Sequence, residues 1–169
     1  MTPRDLLMAV SVLSQVGVVA LVLRRRGRRP LALPVSLFLL DVACMQIATM
    51  MSHATGAILF RGLDLVLTAM APAFALHIVV AFVGASPKER RALQLSYVAA
   101  TSLALLTSAY WWSATARRWA ESTTWSAAFL LLWLLQASLM ARRLWQHRRI
   151  AMLPLEHART RLLQWALVA

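Results

Sequence analysis

The sequence predicts an all-α, polytopic transmembrane helix bundle with five full spans and the start of a sixth. Three observations predict it. Of the 169 residues, 60% are hydrophobic and only 14% charged, against about 25% charged in an ordinary soluble domain. The charges are gathered in short blocks with long apolar runs between them. Those runs approach the ~20 residues needed to cross a hydrocarbon core of ~30 Å. A single membrane domain is therefore expected over residues 1–169.

The first span covers residues 6–23 and is followed by RRRGRRP, with Arg24, Arg25, Arg26, Arg28 and Arg29. A cleaved signal peptide carries its positive charge before the apolar run and small residues after it. Here the order is reversed, so the segment is expected to be retained. The second span covers 31–51, with Pro34 tolerated in its opening turn. The third, 63–83, contains the stretch APAFALHIVVAF. Ser86-Pro87-Lys88-Glu89 then reads as a capping box with proline at the first helical position, opening the fourth span at 92–112.

Ser96, Ala100, Ala104 and Ser108 recur every four residues along that fourth span. Small residues so spaced let another helix approach closely. Tyr110, Trp111 and Trp112 close it and Trp125 opens the fifth, 125–141, at the interfacial depth that amphipathic rings favour. A basic segment follows, holding Arg142, Arg143, Arg148, Arg149, Arg159 and Arg161. Residues 162–169 make only about 12 Å of helix. They read as the beginning of a sixth span, and the chain is expected to be a fragment.

Loop charge sets the orientation. With the N-terminus outside, segments 24–30, 84–91 and 142–161 face the cytoplasm and hold fourteen of the eighteen basic residues, including Lys88, Arg90 and Arg91. Arg4, Arg61, Arg117 and Arg118 fall on the other side. That asymmetry is the positive-inside pattern. The net charge of +12 is thus a topology signal; the expected partner is the lipid bilayer, and no nucleic acid is expected. Cys44, the single cysteine, can form no intrachain disulfide and belongs to no metal-ligand set.

Two ionisable residues fall deep in the apolar segments. Asp41 is near the middle of the second span and His77 in the inner half of the third. At helical rise their depths differ by about 6 Å, so adjacent antiparallel spans could bring them together. A buried Asp–His pair would serve as a proton-linked switch, because histidine changes charge in the physiological range. The alternative is that each bonds a neighbour such as Gln46, Gln94, Thr101 or Gln136 and fixes helix register. Pro72 should kink the third helix and free a carbonyl one turn earlier. Ala73, His77 and Ala81 share one face, which turns His77 into the bundle; Phe74 and Phe82 share another.

No cofactor or metal is expected. His53 and His77 differ in depth by roughly 20 Å, too far for one haem iron. A retinal Schiff base needs an intramembrane lysine, and Lys88 lies in a loop. LEHARTRLL is superficially similar to the phosphoacceptor box of histidine kinases, but its spacing fails, and His157 reads as a solvated loop residue. No nucleophile–base set or phosphate-binding glycine loop is present, so no catalytic residue is expected.

The outside N-terminus, short loops, P-x-x-x-x-H with a following aromatic, a basic loop and an R-x-R pair together resemble the N-terminal membrane region of bacterial sensor histidine kinases. The residues carrying the resemblance are Pro72, His77, Phe82, the loop Pro87 to Arg91, and Arg159 with Arg161. It implies a signal-input and anchoring module in the bacterial inner membrane. It also implies a homodimer, with a response regulator reached only through a kinase part outside these residues. A stand-alone transporter-like or accessory membrane protein, with Asp41 and His77 handling protons or solute, is the alternative reading; a purely structural membrane subunit is the third.

Overall fold

With no water to pair its N–H and C=O groups, a lipid-crossing backbone satisfies them within its own helix. A computed structural model of the chain describes residues 3–24, 31–84, 86–150, 158, 160 and 161, and every regular element among them is helical. The α-helices are α1 (Pro3–Arg24), α2 (Ala32–Thr55), α3 (Ile58–Val83), α4 (Pro87–Ser108), α5 (Ala114–Ala120) and α6 (Thr123–Ile150), with a 3₁₀ turn at Ala109–Trp111. All but α5 are long and apolar enough to cross a bilayer, the makeup of a multi-pass membrane protein.

The surface supports that reading. Leu13 is 72% exposed, Leu95 69% and Leu131 68%, and apolar side chains stand out along α1, α4 and α6. Water would drive such side chains inward, whereas hydrocarbon solvates them.

Alanine, serine and threonine share the interior with leucine, valine and methionine. α3 is the hub: it packs against α2, α4 and α6, while α1 packs mainly on α2. From α3, Leu65, Ala69, Ala73, Leu76, Val79 and Val80 are buried. α4 answers with Ser96, Ala100 and Ala104, then with Thr107 in place of Ser108. At 3.6 residues per turn, a strict four-residue stripe drifts off the contact, so the last buried position falls one residue early.

Helices α2, α3 and α4 alternate in direction, and α6 runs alongside α3. Leu65 and Trp125 join one apolar cluster near the starts of α3 and α6. Val79, Val80, Met140 and Leu144 join another near their ends. Arg24, Lys88, Arg90, Arg91, Arg142, Arg143, Arg148 and Arg149 therefore share one end of the bundle. The opposite end is aromatic.

Helix limits differ from the expected spans where polar ends extend the helix beyond the apolar run. α3 starts at Ile58 rather than 63, because Gly56, at φ +65°, ends α2 and donates its N–H to the Ser52 carbonyl. Only glycine takes that left-handed geometry without strain. α4 starts at Pro87, the first helical position expected from the Ser86–Glu89 capping box, which is formed, so the helix precedes its apolar span at 92 by five residues. α6 continues to Ile150, nine residues past 141, since arginine, leucine and glutamine are good helix formers once outside the apolar layer. α5 was not expected; Ser113 caps it by accepting from the Ala116 N–H at 3.3 Å.

Tyr110 and Trp125, expected at the lipid interface, are 3% and 5% exposed and belong to the aromatic-end core; Trp112, 78% exposed, faces outward. Arg25, Arg26, Arg28, Arg29, Arg159, His157 and the sixth span at 162–169 lie outside the described residues. Arg161 is described and exposed.

Candidate functional site

Asp41, Met45 and Thr49 are spaced four apart on α2 and so lie along one face. Asp64, Thr68 and Pro72 make the same stripe on α3. The two stripes meet. The Thr49 hydroxyl donates to Asp64 Oδ1 at 3.1 Å, and the Thr68 hydroxyl to the Met45 sulfur at 3.4 Å. Asp64 also pairs with Arg61, one turn earlier on its own helix, at 3.5 Å. These rungs fix an antiparallel register. Four residues further on each helix, Asp41 comes level with Pro72.

Asp41 is 6% exposed, and its Oδ2 has no hydrogen-bond partner. His77 lies five residues beyond Pro72, about 7.5 Å further along α3. Its Nδ1 is 2.9 Å from the Tyr97 hydroxyl on α4. The Tyr97 ring also meets the edges of His77 and Phe74. The structure therefore turns His77 inward but does not join it to Asp41, because the register set by Thr49–Asp64 keeps the two a turn and a half apart. Phe74 lies on the His77 side, not on a separate face with Phe82; Phe82 packs against His147 instead.

Other buried polar groups collect at similar levels. Counting eleven residues back along α3 and α6 from the Phe82–His147 contact brings Gln136 level with Ala71. Gln136 is 2% exposed and neither amide atom has a partner. On α2, Gln46 donates to Ser11 of α1 at 3.2 Å, which sets Gln15 near the Asp41 level with its own Oε1 unpartnered. Ser36 and Ser96, near the His77 level, also have unpartnered hydroxyls. Each such group costs about 1–3 kcal/mol when buried unpaired. Gln94 and Thr101 face outward and serve neither Asp41 nor His77. No cluster of three His, Cys, Asp or Glu side chains forms among the described residues.

A second polar centre lies at the basic end. Glu89 Oε2 accepts the Ser86 N–H at 2.5 Å, and the Ser86 hydroxyl accepts from the Glu89 N–H at 3.4 Å. Its other oxygen, Oε1, is 3.2 Å from Arg143 Nη1 on α6. Arg143 also donates to Gln146 at 3.2 Å, and Arg149 covers the Trp145 ring at 3.5 Å. One carboxylate thus starts α4 and holds α6 to it. The capping box was legible in the sequence; the link to Arg143 was not, since nothing local joins residues 54 apart.

Compared with known proteins, the chain matches no family model, no curated protein and no solved structure.

Proposed function

We propose that this chain is the signal-input and anchoring region of a two-component sensor histidine kinase. On this reading it sits in the bacterial inner membrane with its N-terminus outside and its basic end in the cytoplasm. The fourteen basic residues on one side of the assigned topology support that sidedness. The chain's own residues supply no catalytic group. Its partners would be the bilayer, a second copy of itself, and, through a kinase part elsewhere in the gene product, a response regulator.

The observation that carries the reading is the Glu89–Arg143 contact at 3.2 Å. α6 runs parallel to the central α3 and projects past its apolar stretch at the basic end, where this ion pair links it to α4. A change in packing around α3 moves α6 against α4 and must shift or break that tie. Such a displacement at a helix end is a usable output. The test is ATP-dependent autophosphorylation of the full-length gene product in lipid vesicles. Glu89→Gln and Arg143→Met should each change the basal level several-fold. A full-length product that takes up no phosphate from ATP would refute the kinase assignment.

A further inference from the structure

We propose that the Asp41 carboxyl and the main-chain carbonyl of Thr68 form a proton-binding site between α2 and α3, with the proton carried on Asp41 and shared with the carbonyl oxygen. The site does not depend on the signalling reading; it would serve equally in a transporter-like protein.

The geometry comes from the two stripes. In a helix the carbonyl of residue 68 points at the N–H of residue 72. Residue 72 is a proline inside α3 and has no N–H to give. The carbonyl that loses its donor lies on the face of α3 that meets α2, because Thr68 contacts Met45 across the interface and Pro72 follows one turn later. Asp41 lies on the opposing face of α2, level with Pro72, buried and with Oδ2 unpartnered. The Thr68 hydroxyl is committed to the Asp64 carbonyl at 2.8 Å and to Met45. No side-chain donor among the described residues reaches the freed carbonyl.

On this placement two acceptors face one another across the α2–α3 interface. A proton satisfies both: the O–H bond forms on Asp41, and the hydrogen is donated to the Thr68 oxygen. Hard metal cations take six or more oxygen ligands, and two oxygens do not make such a shell. Loss of the proton to water leaves a carboxylate against a carbonyl, which repel. The proton therefore acts as a latch between α2 and α3.

The charged groups on the elements packed against α2 lie elsewhere. On α3, Arg61 and Asp64 pair with each other eight or more residues away, and His77 is bonded to Tyr97. On α1, the level of Asp41 falls at Val16, with Arg4, Asp5 and Arg24 eight or more residues distant. Cys44 and His53 of α2 itself are exposed.

Infrared difference spectroscopy of the purified protein in lipid, recorded against pH and in D₂O, tests the site. The chain has six acidic residues in all, so carboxyl bands can be assigned by substitution. A protonated-carboxyl band should be present, survive Asp64→Asn, and vanish in Asp41→Asn. In Pro72→Ala the alanine N–H reclaims the Thr68 carbonyl, so the band should move to the higher frequency of a carboxyl without a hydrogen bond. Absence of an Asp41-dependent band, or a band at the same position in Pro72→Ala, would overturn the proposal. Helix content by circular dichroism screens the variants. Should Asp41→Asn fail to fold, Pro72→Ala still decides, since it leaves the carboxyl in place.

Discussion

His77 Nδ1 lies 2.9 Å from the Tyr97 hydroxyl, across the α3–α4 interface. Both rings are half-buried, and Phe74 closes over the tyrosine edge at a centroid distance of 5.9 Å. Inter-helix hydrogen bonds in membrane bundles are worth about 0.6 kcal/mol on average in double-mutant cycles. His77→Phe and Tyr97→Phe should therefore each lower thermal stability in mild detergent. The double variant should show a coupling of about that size, read from melting curves. Strictly additive losses would mean that the two side chains do not interact.

Gln136 should behave in the opposite way. Its amide is buried with neither atom partnered, so the group carries a desolvation cost of about 1–3 kcal/mol with no return. Gln136→Leu keeps the volume roughly constant and removes that cost. The variant should melt at a higher temperature than the parent protein. A lower melting temperature would show that the amide is satisfied by something bound there.

At the basic end, two variants separate the cap from the ion pair. Ser86→Ala removes the hydroxyl that accepts from the Glu89 N–H and should cost about 1 kcal/mol. Glu89→Gln preserves a capping box, because glutamine also serves at that position, and removes only the negative charge that Glu89 presents to Arg143. Arg143 is more than a third exposed, so screening by solvent limits that loss to roughly 0–1 kcal/mol. Chemical or thermal denaturation ranks the two. A larger loss for Glu89→Gln than for Ser86→Ala would reverse the expected order.

Among the described glycines, Gly62 is the closest packed. The Trp111 indole donates to the Leu59 carbonyl at 3.2 Å and lies over Gly62, where an added Cβ would overlap the ring. Gly62→Ala should destabilise by about 1–3 kcal/mol, as overpacking does. It should also shift the tryptophan fluorescence. In a Trp111→Ala background the same substitution should cost much less; an equal cost in both backgrounds would place the strain elsewhere.

These outcomes bear on what the sequence makes legible. The five crossing helices and the capping box at Ser86 are local: apolar length and residue spacing encode them within one segment. So is the inward placement of Asp41 and His77. Their partners are not local. Thr49–Asp64 sets the register of α2 on α3 from residues 15 apart, and that register, invisible to hydropathy, separates Asp41 from His77. Asp64 gives no signal in apolar length, although Arg61 three positions before it marks an intrahelical pair. α5 was missed because seven residues between two aromatic clusters carry no long apolar period. Tyr97 was missed because a tyrosine in a span ordinarily reads as packing.

Sidedness decides whether the α4–α6 clasp can report to the cytoplasm, and single-cysteine labelling in intact bacterial cells tests it most directly. Cys44 is the sole cysteine, so Cys44→Ser provides the background. Lys88→Cys and Glu121→Cys place one exposed thiol at the basic end and one at the aromatic end. A membrane-impermeant maleimide should label Glu121→Cys in intact cells and Lys88→Cys only after permeabilisation. Labelling of Lys88→Cys from outside, or of both positions from one side, would contradict the proposed orientation and with it the signal-input function.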